Sequence, residues 1–278
     1  MPSYRLGEWR TFMFCVGRDC ILALSLLYAG DWDKIYQAMK KRDGDAVEEG
    51  LKLLSNIKSN YVTILDPDYP GALYNHCHKP PFVLYYEGDL SIAREQDKIL
   101  TVVGSRQPSS YAATKTRELC TAMAEQGYVI CSGLARGIDT IAGESSVPFT
   151  RRTIAVLGNG INRTYPIENT PLRKKIAANG LVLSEYPNMT PPEARNFPSR
   201  NRILACLSKG TFVAEARPHS GTLITAMFAL EYGRDVATLP FAAGEDYANN
   251  VLIKNGAALV EDLSDLELFM QPRENVKK

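Results

Sequence analysis

Residues 99–106 read ILTVVGSR. Ile99–Val103 are β-branched or bulky and make a run fit for a buried strand. Gly104 and Ser105 then let the backbone turn sharply, which leaves Arg106 at the strand's carboxyl end. In an open parallel sheet that edge is where ligands bind. The expectation for Arg106 is a phosphate.

Strand-like runs recur at Tyr128–Cys131, Thr153–Leu157, Leu181–Leu183, Thr211–Glu215 and Asp235–Leu239, separated by helix-like segments. That alternation predicts an α/β fold with a doubly wound, mostly parallel sheet. A short strand at Ala258–Val260 and a helix at Leu263–Met270 are expected to close it. Upstream, YVTIL (61–65) and FVLYY (82–86) read as edge strands around a turn-rich stretch with Pro67, Pro70, Gly71, Pro80 and Pro81. Residues 1–60 look helical, with amphipathic patterns at Cys20–Ala29 and Val47–Ile57 and loops at Gly30-Asp31 and Asp43-Gly44. The predicted division is a small N-terminal helical domain (1–60), the main domain (61–262), and a C-terminal helix with a polar tail (263–278).

Four strand ends carry the same device: Gly104-Ser105-Arg106, SGLARG from Ser132 and Gly133 to Arg136 and Gly137, GNGINR ending at Arg163, and ARPHSGT with Arg217, Ser220, Gly221 and Thr222. In a parallel sheet these loops emerge on one rim, and small residues there expose N–H groups at the following helix N-termini, which attract anions. FPSRNR adds Phe197, Arg200, Asn201 and Arg202. Guanidinium groups fork onto phosphates, and Phe197 or Tyr165 can stack on bases. The plainer reading is that Arg200 or Arg202 pairs with Glu185 or Glu215 to lock loops, and that Tyr165 is packing.

Other chemistries fit poorly. A nicotinamide dinucleotide needs GxGxxG after the first strand and an acidic residue at the end of the second, where this chain has GSRQPSS and Ser132-Gly133. His219 is the lone histidine after residue 98, so no hydrolytic triad is forced, and neither HExxH nor a phosphate-binding GxxxxGK[ST] loop is present. No catalytic residue, cofactor or metal site is expected, and His76-Cys77-His78 reads as a polar turn. The net charge is +1, but residues 99–245 hold 16 Lys and Arg against 11 Asp and Glu, so a local basic surface fits. The six dispersed cysteines read as buried free thiols. The longest apolar run, Cys20–Ala29, is too short to cross a bilayer and no secretory signal is visible, which favours a cytoplasmic protein without membrane contact.

VVGSR (102–106), SGLARGIDT (132–140), TIAVLGNGIN (153–162) with YP (165–166), LSEYP (183–187), FPSRNRI (197–203), VAEARPHSGTLITA (213–226), GRDVATLP (233–240) and LIKNGA (252–257) resemble, in order, the DNA-processing protein A family, DprA or Smf. The N-terminal helices resemble its variable, often SAM-like, domain more loosely. The resemblance implies an extended Rossmann-like fold for the main domain and a homodimeric single-stranded DNA binding protein of natural transformation. Such proteins protect incoming DNA and load the RecA recombinase on it, beside single-strand binding protein, without established catalysis. It assigns Arg106 to a DNA phosphate and dimerisation to Asp246–Val260. The chain departs from the family pattern at Gly143, Ile167, Phe241 and Ala248-Asn249-Asn250. A competing resemblance is to LOG phosphoribohydrolases. Aligning their PGGxGTxxE on Gly221-Thr222 puts Thr225 in the place of the glutamate used in chemistry.

Overall fold

The computed structural model describes residues 17–272. Cys15, one of the six cysteines, and residues 273–278 of the polar tail lie outside the described residues. Helices α1 (Arg18–Leu27), α2 (Trp32–Lys41) and α3 (Gly44–Leu51) come first. The two loops read from sequence end in helix caps: Asp31 accepts from the Lys34 N–H at 3.2 Å, and Asp43 from the Ala46 N–H at 3.0 Å. The expected helix over Val47–Ile57 is shorter, since α3 stops at Leu51 and a 3-10 turn covers Leu54–Asn56.

The remaining elements are β1 (Asn60–Thr63), α4 (Gly71–His76), β2 (Val83–Gly88), β3 (Ile99–Gly104), α5 (Ser110–Glu125), β4 (Val129–Ser132), α6 (Ile138–Ser146), β5 (Thr153–Leu157), α7 (Thr170–Asn179), β6 (Leu181–Ser184), α8 (Asn196–Leu207), β7 (Gly210–Glu215), α9 (Gly221–Glu231), β8 (Asp235–Thr238), α10 (Asn249–Lys254), β9 (Ala258–Leu259) and α11 (Leu263–Met270). They form one nine-stranded sheet in the order β1-β2-β6-β5-β4-β3-β7-β8-β9. Pairing is parallel from β6 through β9, and antiparallel where β2 meets β1 and β6. The expected α/β doubly wound sheet is thus observed. Of the two strands expected at the edge, only β1 lies there, because β2 is flanked on both sides.

Period-two alternation along the parallel strands sorts side chains to the two faces. Leu100, Val102, Ile130, Phe212 and Ala237 pack with α5, α6 and α11 on one face. Ile99, Val103, Cys131, Val213 and Val236 face a second layer that takes in α8 and α9. The same buried cluster runs on through Leu84 and Phe82 into Ile21, Leu22 and Trp32, so the N-terminal helices share the core of the sheet. Polar ties cross that junction: the Trp32 indole N–H donates to the Pro80 carbonyl at 2.7 Å, and Tyr85 donates to Ser25 at 3.1 Å.

His76-Cys77-His78 is not a polar turn. His76 ends α4, Cys77 is buried against Tyr232, and His78 Nδ1 lies 2.7 Å from Glu231. Cys120, Cys131 and Cys206 are also buried free thiols, while Cys20 is half-buried. No described helix is long and apolar enough to cross a membrane.

Candidate nucleic-acid interface

From β3 the chain winds through β4, β5 and β6 to one side, whereas β7, β8 and β9 lie on the other. The neighbouring strands β3 and β7 therefore send their following loops in opposite directions. Such a switch point opens a crevice outside the carboxyl ends of the strands. A cleft of about 720 Å³ lies there, lined by Gly104, Ser105 and Arg106 after β3 and by Arg217, Ser220, Gly221 and Thr222 after β7. The β3–β7 register shifts between Val103 and Gly104, a bulge that turns the chain away from the sheet. Gly104 is needed for close packing, since a Cβ there stands 2.5 Å from the Ile138 side chain. Gly137, at φ +73°, brings the second loop onto the first, and the Ile138 N–H donates to the Ser105 carbonyl at 3.1 Å.

On the rim, Arg106 is exposed and bonds no carboxylate among the described residues. Its guanidinium lies 5.9 Å from the centre of the Phe197 ring, and Phe197 packs 5.6 Å from Tyr165, which is 42% exposed. Arg217 is exposed as well. It stacks 4.1 Å over the Tyr247 ring and donates to the Asp246 carbonyl at 3.1 Å and the Tyr247 hydroxyl at 3.3 Å. Ser220 precedes α9, and its buried Oγ has no partner at the N-terminus of that helix. Asn201 Nδ2 reaches the Gly221 carbonyl at 3.3 Å and ties α8 to α9 across the cleft.

The floor is built differently. Arg200 is buried, and its Nη1 donates to the carbonyls of Gly133, at 2.7 Å, and Val156. Burial pushes this guanidinium down, and the nearby Asp139 carboxylate opposes the shift. Asp139 accepts from the N–H groups of Gly133 at 3.0 Å and Ala135 at 3.4 Å, and Ser132 Oγ donates to its carbonyl at 3.2 Å. Burial pushes the Asp139 carboxyl up, and Arg200 with those N–H groups draws it back. Ser132, Gly133 and Gly137 thus shape the second loop from beneath without lining the cleft.

Three expected rim arginines stand elsewhere. Arg202 is 3% exposed and forms a buried pair with Glu185 at 2.5 Å, with further bonds to the Lys79 and Ser199 carbonyls at 2.7 Å. The expectation of Arg202 on the rim is therefore corrected: its side chain is enclosed, and the loop-locking alternative describes it. Arg136 is exposed but bound by Glu168, and Arg163 is exposed outside the cleft lining.

Sequence reasoning missed Asp139 and Tyr247, and it offered Glu215 an arginine where the structure gives it a backbone N–H. An acidic residue in the first turn of a helix that follows a glycine-rich loop is the signal for Asp139, because such a carboxylate reaches back to loop N–H groups. Glu215, fully buried at the end of β7, accepts from the Ser109 N–H at 2.9 Å and pins the end of the Arg106 loop. Tyr247 carries no local signal, since only the return of the 239–249 loop brings it under Arg217. Among the described residues no cluster of three or more His, Cys, Asp or Glu is placed to hold a metal.

A family model described as DNA recombination-mediator protein A matches residues 60–271. Protein Smf of Synechocystis is 45% identical over 213 residues, covering 75% of this chain and 53% of that protein. DNA processing protein DprA of Streptococcus pneumoniae is 39% identical over 206 residues, covering 73% of this chain and 72% of its own. The chain thus spans about half the length of the Synechocystis relative. Its fold matches an X-ray structure of the Streptococcus pneumoniae DprA with a TM-score of 0.75 at 32% identity, over 94% of this chain and 96% of that one. It also matches a Helicobacter pylori DprA structure described for its single-stranded DNA binding mode, with a TM-score of 0.68 at 30% identity, over 75% and 94% of the two chains. By the extent of the family match and these identities, the chain belongs to the DNA recombination-mediator protein A family.

Proposed function

We propose that the cleft between the β3 and β7 loops holds the backbone of single-stranded DNA. The observation that carries this reading is Arg106, an exposed guanidinium at the topological switch point with an aromatic pair beside it and no carboxylate among the described residues bound to it. A cation that takes phosphate next to rings that take bases is the chemistry of a strand with unpaired bases. Gly104, Ser105, Arg217, Ser220, Gly221 and Thr222 line the same cleft and supply the remaining phosphate contacts. The Helicobacter pylori relative, described for binding single-stranded DNA, supports the reading.

In this reading the protein is a binding module without catalysis, and it acts in the cytoplasm during natural transformation. It protects incoming DNA and loads RecA onto it as a homodimer. The exposed apolar side chains Val251 and Leu259, inside Asp246–Val260, support that dimer surface.

The test is a salt titration of binding to a dT oligonucleotide. With about 4 phosphate contacts per protomer, log affinity falls against log salt with a slope of about −3. Arg106→Ala weakens binding to all sequences alike, and a variant as tight as the parent across the titration sinks the reading. A RecA-loading assay on strands coated with single-strand binding protein then tests the mediator role.

A further inference from the structure

A second aromatic group stands beyond Arg217, on the other side of the switch point from Phe197. Tyr247, under the Arg217 guanidinium, stacks on Phe241 with 4.0 Å between ring centres and 29° between planes. Phe241 in turn meets Tyr111 at 5.5 Å and 89°. The series runs from Arg217 in the cleft lining to Tyr111 in the first turn of α5.

The group is held rigidly. Asn250 accepts from the Phe241 N–H at 3.0 Å and donates to the Phe241 carbonyl at 2.7 Å, clamping its backbone on both sides. The neighbouring Asn249 is fully buried and ties the same segment to the end of β7 through the Ala216 N–H at 2.9 Å and to Thr238 Oγ1 at 2.7 Å. Tyr111 nevertheless stays 41% exposed, because its perpendicular contact with Phe241 leaves it out of the parallel stack. The loop that carries Arg106 leads straight into the turn that carries Tyr111, and its end is anchored on Glu215. A fixed, partly bare aromatic ring continuous with a cationic cleft has the chemistry of a base-stacking platform.

Resting on the reading of the cleft as a single-stranded DNA site, we propose that Tyr111, set in place by Phe241, is a second stacking surface for a nucleobase of the strand whose phosphates lie at Arg106 and Arg217. The strand then crosses the switch point with bases stacked at both ends, on Phe197 and on Tyr111.

The test uses the full chain and a labelled dT oligonucleotide of about 20 nucleotides. Tyr111→Leu and Phe241→Leu keep apolar bulk but remove the flat ring, and each weakens binding by about tenfold, while Tyr111→Phe binds like the parent. Thermal melting confirms that the variants are folded. An abasic scan of the oligonucleotide gives the sharper readout: one position costs the parent about tenfold and costs Tyr111→Leu nothing. If Arg106→Ala loses affinity while Tyr111→Leu and its abasic scan match the parent, the platform is overturned and the cleft reading stands. If the parent protein binds no strand, both fall.

Discussion

Arg200 and Arg106 line one cleft, yet Arg200 is 4% exposed with its guanidinium on backbone carbonyls, whereas Arg106 is exposed against the Phe197 ring. Arg202, two positions along α8 from Arg200, is enclosed with Glu185. Floor and rim thus use the same side chain in opposite ways. Buried guanidinium groups have exchanged water for fixed acceptors and hold loops in place. Exposed ones keep water they can trade for phosphate oxygens.

The largest effect that tests this contrast belongs to the buried arginines. Arg202→Ala strands the Glu185 carboxylate in the core and lowers unfolding stability by about 3–5 kcal/mol in urea denaturation. A loss below about 1 kcal/mol would erase the distinction. On the rim, Arg106→Ala keeps stability within about 0.5 kcal/mol. It weakens binding to dT by about tenfold, and the slope against log salt becomes shallower by about 0.7.

An exposed arginine with a half-buried partner sharpens the comparison further. Arg18 pairs with Asp66 at 2.9 Å. Partial burial pushes the Asp66 carboxyl up, but bonds from the Thr63 N–H, Arg18 and the Thr63 hydroxyl outweigh it and hold the group below the usual 3.8. Its contribution is therefore present above the unfolded value and is lost as pH falls through the lower, folded one. Asp66→Asn costs at most about 1 kcal/mol at neutral pH, and the gap to the parent closes as pH falls below about 3.8. The smallest effect is at Arg136, where Glu168 occupies the guanidinium. Glu168→Gln tightens binding to dT modestly at low salt, and the gain disappears at high salt.

Much of the fold is legible because long β-branched runs such as Ile99–Val103 become strands wherever they are buried, and the GSR turn marks its own position. The fate of Arg202 is not legible in that way. Its partner Glu185 directly follows β6, and only the packing of α8 decides whether the guanidinium points inward or toward solvent. Nor does spacing reveal that Tyr111 meets Phe241 and Tyr247, since the first turn of α5 and the distant loop between β8 and α10 bring them together. Local chemistry identifies which loops carry cations, and tertiary packing decides which cations remain accessible.

The pairing of β3 with β7 sets Leu100 opposite Gly210 and Thr101 opposite Thr211. Both walls of the cleft therefore come from distant parts of the polypeptide, joined only when the strand ending in Glu215 docks beside the one that precedes Arg106. A chain emerging from the ribosome carries Arg106 through more than a third of its synthesis before Arg217, the cation of the facing wall, is made. On the proposed reading of the cleft, competence to hold DNA is consequently a late event in the life of the molecule, and a truncation that keeps Arg106 but stops before β7 is expected to carry the family's signature without a grip.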